Sequence, residues 1–198
     1  IKSGDDFKGM KYRTVGLSAD LFKEMGAAVT ILPGGEIVPA LDRGLLDAAE
    51  FNNPSSDILL GFPDVAKFFM LGSHHQQAEA FEIIFNKQKH DALPPELRAS
   101  LRNAAFAATA DQYAMAHDRY SKDLEEMKTT QGVQVIRTPD SVLQAQLDAW
   151  DTVLTTVGAD PFFAKVADSQ KAWVKRVVGL QFEMEVDQKM AFDHFFPA

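Results

Sequence analysis

Leu97, Leu101, Ala104, Ala108, Met115 and Leu124 keep a three-to-four spacing through one long segment. Pro94-Pro95-Glu96 opens that segment and Gly132 closes it. The spacing predicts a single helix from Pro94 to about Thr130. At 1.5 Å per residue such a helix is about 50 Å long, more than the diameter of a small domain. It has to kink, or it has to run across two lobes.

The remaining residues allow a substantial core. The chain has 198 residues, of which 46% are hydrophobic, too apolar for a disordered segment and enough for one large domain or two modest ones. No uncharged apolar run approaches the roughly 18 residues of a membrane span. With 28 acidic against 20 basic side chains the net charge is −8, and the lysines and arginines are scattered, so no nucleic-acid-binding surface is expected. The absence of cysteine excludes disulfides, thiolate metal sites and a cysteine nucleophile. Ile1-Lys2-Ser3-Gly4-Asp5-Asp6 is polar and has neither a signal core nor an initiator Met, so the sequence reads as a mature, trimmed or fragmentary product.

The first third alternates short strands and helices. Met10–Val15, Ala28–Leu32 and Leu45–Phe51 read as strands. Ser18–Met25, capped by Ser18, and Glu36–Arg43 read as helices. This order predicts an α/β fold with a mostly parallel sheet, in which ligands bind beyond the carboxyl ends of the strands. Asn53 with Pro54 reads as a capped helix start. Phe68–Leu71, Ala80–Asn86 and Val133–Arg137 are further expected strands. Thr138-Pro139-Asp140 opens a helix to Val157, and Asp160-Pro161 opens a last helical stretch towards His194, with a break expected near Gly179.

Arg13, inside the first strand, needs a partner, because an unpaired buried cation is costly. That partner is either an acidic residue on the same sheet, the favoured reading, or a ligand carboxylate held by the planar guanidinium. Glu50-Phe51-Asn52-Asn53 follows the third strand, where a carboxylate, a ring and two amides suit a small polar ligand or an oxygen-ligated cation. Helix capping by Asn53 with Phe51 in the core explains the same residues equally well. His74-His75-Gln76-Gln77 has neighbouring imidazoles that point to opposite faces of an extended segment. No third ligand stands in zinc register, so His74 reads as a hydrogen-bonded core histidine, with His75 and Gln76 lining a cleft. Pro33-Gly34-Gly35-Glu36 lacks any nucleotide-loop pattern and reads as a tight turn before a helix.

These blocks together resemble a family. Asp6-Phe7-Lys8-Gly9-Met10-Lys11-Tyr12-Arg13 is similar to the Asp-Leu-Lys-Gly-Leu-Lys-x-Arg block of TRAP-transporter solute-binding proteins of the DctP type. Residues 33–48 and Glu50-Phe51-Asn52-Asn53-Pro54 resemble that family's next blocks. Gly72–Lys87, the long helix and the tail with Trp150 and Trp173 are also similar. The nearest subgroup is the mannitol/chloroaromatic-compound or 2-oxo-acid-like one.

The resemblance implies a periplasmic-binding-protein-like two-lobe fold with a lobe-spanning helix, in a periplasmic protein that is not an enzyme. It implies capture of a small organic carboxylate, a 2-oxo or hydroxy acid, for delivery to TRAP membrane permease subunits. A homodimer is allowed. Arg13 matches the family's carboxylate clamp. Phe51, Asn52, Glu50, His75 and Gln76 complete the implied ligand shell. Glu50, Phe51 and Gln76 match positions that hold a cation, Na or Ca, beside the ligand. Phe51 and Gln76 stand where relatives often have Trp and Glu, and His74-His75 where they have a Trp pair, so one anionic cation ligand is lost. Relatives also begin with a further βαβ segment that is missing here. The expected lobes are therefore residues 1–75 and 118–198 for the second, with 76–117 returning to a first lobe that is otherwise absent. Apolar surface that the absent lobe would cover should then be exposed. Two other readings compete. One is a metal-assisted hydrolase using Glu50, His74 and His75, and the other an interaction module working through its helical half.

Overall fold

The structure is a computed structural model, which describes residues 1–76 and 81–197. The chain forms two compact units, Ile1–Trp150 and Asp151–Ala198.

In the first unit, β1 (Lys11–Arg13) is the central strand of a parallel sheet of order β2-β1-β3, with β2 spanning Ala28–Thr30 and β3 Ala48–Ala49. Arg13 pairs in register with Thr30 on one side and Ala49 on the other. Helix α1 (Leu17–Glu24) connects β1 to β2, and α2 (Gly34–Asp42) connects β2 to β3. Consecutive strand residues face opposite ways. Tyr12 therefore joins one apolar cluster with Phe7, Leu21, Phe22, Met25 and Val142. On the sheet's other flank Ile37, Ala40, Leu46 and Phe62 form a second cluster, with Phe51 packed against it. Both faces being covered is what an all-parallel sheet requires.

Beyond β3 come α3 (Pro54–Leu60), α4 (Phe62–Val65) and β4 (Phe68–Leu71), then α5 (Lys87–Asp91) and α6 (Pro95–Thr129). Strand β5 (Gln134–Arg137) pairs with β4 in parallel. Helix α7 (Asp140–Val157) follows, its Val142 and Ala149 entering the first cluster. Gly61 joins α3 to α4 with φ +84°, the left-handed region where a side chain is strained.

Helix α6 is continuous over 35 residues. Among them only Met127, near the C-terminal end, is buried, and there α6 packs on α3 with a hydrogen bond between the Ser55 hydroxyl and Asp123. Its leading two thirds hold Leu97, Phe106, Tyr113 and Met115 in solvent. Phe81, Ile83 and Phe85 are exposed beside them and line, with His90, Arg98 and Leu101, a cleft of about 260 Å³. The predicted exposed apolar surface is present on this segment.

The second unit contains α8 (Pro161–Met184) and α9 (Gln188–Phe195), each started by an aspartate, Asp160 or Asp187, that accepts a backbone N–H two to three residues into the helix. Among the described residues no helix is long and apolar enough to cross a membrane.

Several expectations shift. Ser18 is not a cap: Gly16 holds that position, and Ser18 lies inside α1 with its hydroxyl donating to the His75 carbonyl. The last helical stretch passes through Gly179 and breaks instead at Glu185–Asp187, since one glycine costs a helix only about 1 kcal/mol. The third strand shrinks to two residues because Leu45 and Leu46 still close the α2 turn by bonding back to the Ala40 carbonyl. The strand expected over Ala80–Asn86 is absent from 81–86, and Ala80 and Gln77 lie outside the described residues.

Candidate ligand site

The carboxyl ends of β1, β2 and β3 converge on one buried cation. Arg13 is 4% exposed. Its Nε donates to the Leu32 carbonyl at 3.0 Å, just past β2. Its Nη1 donates to the Glu50 carbonyl at 2.7 Å and to Glu50 Oε1 at 3.1 Å, just past β3. The guanidinium thus ties the ends of the two flanking strands to the central one. Its carbon also lies 5.9 Å from the centre of the Phe51 ring, within cation–π range. The described hydrogen bonds engage Nε and Nη1, and none of them uses Nη2.

The acidic partner predicted for Arg13 is therefore Glu50. Its second oxygen, Oε2, lies 3.8 Å from His75 Nε2. His75 is fixed from three sides. Its ring lies 5.5 Å from that of Phe22, its Nδ1 bonds to the Ser73 hydroxyl, and its carbonyl accepts from Ser18. The His74 N–H donates to Gln146 Oε1 at 2.8 Å and its carbonyl accepts from Trp150 Nε1 at 2.8 Å. Gln146 and Trp150 of α7 thus hold the histidine pair in place.

Phe51 occupies its position because α2 begins with glycine. A Cβ on Gly34 would stand 2.8 Å from the Phe51 ring, closer than side chains tolerate. The glycine predicted for a tight turn is needed here for this close approach.

Asn53 caps α3 as expected, its Oδ1 accepting from the Ser56 N–H at 3.0 Å. Asn52 is exposed, with its Oδ1 accepting from Asn53 Nδ2. Its own N–H faces the carboxylate of Asp57, a buried residue whose Oδ1 has no hydrogen-bond partner among the described residues. Burial pushes the Asp57 carboxyl up to about 7; the Asn52 N–H opposes the rise and the Glu50 charge adds to it. The fold thus favours the protonated acid. The stability this group contributes is full below about pH 4 and is lost as pH rises through about 7. Asp57→Asn removes that dependence. Urea unfolding should therefore find this variant more stable than wild type at pH 8, by on the order of a few kcal/mol, and the gain should disappear near pH 4. A gain independent of pH would contradict the assignment.

Arg13, Glu50, Phe51 and His75 are thus brought together, while Asn52 and Gln76 stand at the exposed rim. Sequence reading missed Gln146, Trp150 and Asp57. Gln146 carried a signal, being a polar residue on the stripe that Val142, Ala149 and Val153 otherwise keep apolar. Among the described residues no group of three or more His, Asp or Glu side chains stands close enough to hold a metal ion. Glu50, the Phe51 carbonyl and Gln76 offer oxygen donors with one carboxylate among them.

The model of the bacterial extracellular solute-binding proteins, family 7 (DctP), matches residues 1–160. The chain belongs to this family. It is a TRAP-transporter solute-binding protein, and its family consists of binding proteins rather than enzymes. The hydrolase reading of Glu50, His74 and His75 is thereby corrected. The monocarboxylate 2-oxoacid-binding periplasmic protein of a Nostoc strain is 29% identical over 178 residues, which are 89% of this chain and 49% of that protein. The chain spans about half the length of the curated relatives it matches. The fold matches a TRAP solute-binding protein from Bordetella bronchiseptica with a TM-score of 0.83 at 24% identity, over 98% of this chain and 57% of that one. It also matches one from Colwellia psychrerythraea, solved with calcium and pyruvate bound, with a TM-score of 0.73 at 27% identity, over 92% and 58% of the two chains. Further solved relatives hold sodium and pyruvate, or D-glucuronate.

Proposed function

We propose that this solute-binding protein captures a small 2-oxo or hydroxy monocarboxylate outside the cytoplasm and delivers it to TRAP membrane permease subunits. The observation that carries this reading is the buried Arg13 at the carboxyl ends of three parallel strands, with Nε and Nη1 fixed by protein groups. A guanidinium held in that way is oriented before the ligand arrives, and its remaining edge suits a carboxylate. Phe51 would pack on the ligand, with Glu50, Asn52, His75 and Gln76 completing the polar shell. A relative that binds monocarboxylate 2-oxoacids and one holding pyruvate support the class.

A sodium or calcium ion beside the carboxylate would be held by Glu50, the Phe51 carbonyl and Gln76. With one protein carboxylate in that set it is bound weakly, and more weakly than in relatives with a second acidic ligand. On the same reading, residues 1–75 and 118–198 belong to the second lobe of a two-lobe protein and 76–117 returns to the first. The exposed apolar stretch on the leading part of α6 supports this. The protein is also proposed to be a homodimer.

Calorimetric titration of the full-length protein with pyruvate tests the function, with D-glucuronate as the contrasting acid. Saturable 1:1 binding of pyruvate, tighter than that of the uronate, is expected. Heats no larger than dilution for pyruvate and every other short carboxylate would contradict it.

A further inference from the structure

The hydrogen bonds behind His75 decide which of its ring nitrogens carries hydrogen. Gln146 is buried and turns its side-chain oxygen towards Ser73 and His74. That atom has to be the oxygen and not the amide nitrogen, because the His74 backbone N–H, 2.8 Å away, can only donate. The same oxygen lies 3.0 Å from the Ser73 hydroxyl, so the single hydroxyl proton of Ser73 points there. With that proton committed, Ser73 Oγ can only accept from its other neighbours. It accepts from the His75 backbone N–H at 3.3 Å and from His75 Nδ1. Nδ1 is thus the nitrogen that carries hydrogen, and in a neutral imidazole the other nitrogen, Nε2, is then an acceptor. The opposite tautomer would set the Nδ1 lone pair against the lone pairs of the hydroxyl oxygen.

This acceptor faces a second one. Nε2 lies 3.8 Å from Glu50 Oε2, and the two side chains are 15% and 10% exposed. At that separation they are beyond hydrogen-bond distance of each other. The other Glu50 oxygen already accepts from Arg13 Nη1. Two acceptors side by side in a poorly solvated place call for a donor. A ligand whose carboxylate sits on Arg13 and whose next carbon carries an O–H supplies one. A keto oxygen in the same place adds a third acceptor instead, and a site shaped for a hydroxyl rejects an analogue that lacks it.

We infer that the site prefers a 2-hydroxy acid to the matching 2-oxo acid, with His75 as the group that reads the hydroxyl and Ser73 and Gln146 as the residues that position its acceptor. The inference rests on the carboxylate-capture reading and narrows it to one of its two ligand classes. Neither Ser73 nor Gln146 belongs to the ligand shell, and both act through the imidazole. The backbone around the ring is anchored separately, since Ser18 donates to the His75 carbonyl and Trp150 to the His74 carbonyl. The relay from Gln146 through Ser73 therefore sets the tautomer of a ring whose place is already fixed.

Calorimetric titration of the full-length protein at about pH 8, where an ordinary imidazole is neutral, tests this with pyruvate and with each enantiomer of lactate. One lactate enantiomer should bind at least about 10-fold more tightly than pyruvate, the discrimination that one hydrogen bond supplies. Ser73→Ala removes the acceptor that keeps hydrogen on Nδ1, and the preference should shrink to about 2-fold or less. Ser73→Thr keeps a hydroxyl and should keep the preference. A merely structural role for Ser73 would weaken both acids together in Ser73→Ala and leave their ratio unchanged, which would overturn the relay. Nitrogen-15 NMR of histidine-labelled wild type, with His75→Gln identifying the His75 signals, reads the tautomer directly. Hydrogen on Nδ1 is expected, and hydrogen on Nε2 alone would overturn the inference. Pyruvate binding as tightly as either lactate, or more tightly, would overturn it too while leaving carboxylate capture in place. Binding of no short carboxylate at all would contradict the capture reading, and the preference with it.

Discussion

Arg13→Met should destabilise the full-length protein by about 3–5 kcal/mol, the cost of removing one partner from a buried ion pair. The size of the effect follows from what is left behind. Glu50 keeps a carboxylate whose side chain is 10% exposed, and the carbonyls of Leu32 and Glu50 lose the donors they share with Arg13. Methionine fills much of the volume but supplies no N–H. Adding Glu50→Gln to Arg13→Met should recover a large part of the loss, because the uncompensated charge goes with it. Urea unfolding of both variants measures this. A loss below about 1 kcal/mol for the single variant would mean that Arg13 is far more solvated than its burial implies.

Phe22→Ala is the second large expected effect. Phe22 is 1% exposed and its ring lies 5.2 Å from that of Phe7, 4.4 Å from that of Tyr12 and 5.5 Å from that of His75. Truncating a fully buried phenylalanine costs about 3–5 kcal/mol. The cavity would open directly behind His75, so pyruvate affinity should fall as well, even though Phe22 is not itself a proposed ligand contact. A variant with its stability lowered and its affinity intact would place His75 outside the ligand shell. A loss below about 1 kcal/mol would show that the aromatic cluster closes around the gap.

The alternating strands and helices around Arg13 were legible in sequence because each short strand has its own β-branched or apolar run and each helix its own stop. The long helix was legible because its apolar spacing runs from Leu97 to Met115 and neither proline nor glycine interrupts the chain between Pro95 and Gly132. What stayed hidden depends on tertiary partners. Periodicity could name an acidic partner for Arg13 but not choose Glu50, which is 37 residues away and meets it only once β1 and β3 pair. Gln146 and Trp150 hold the histidine segment from more than 70 residues further along the chain. Gly34 looked like a turn glycine because the Phe51 ring that needs the space arrives with the next strand. Ser18 kept its helix and lost its role as cap, since its hydroxyl finds the His75 carbonyl instead.

The central claim is that Arg13 is a carboxylate clamp as well as a strand tie, and Arg13→Lys separates the two roles. Lysine retains the charge and can still pair with Glu50, but it lacks the planar fork that would present a second donor edge to the ligand. Calorimetric titration of full-length wild type and Arg13→Lys with pyruvate is the most direct measurement. The clamp predicts that the folded variant binds at least about 100-fold more weakly. Equal pyruvate affinity in the two proteins would contradict it.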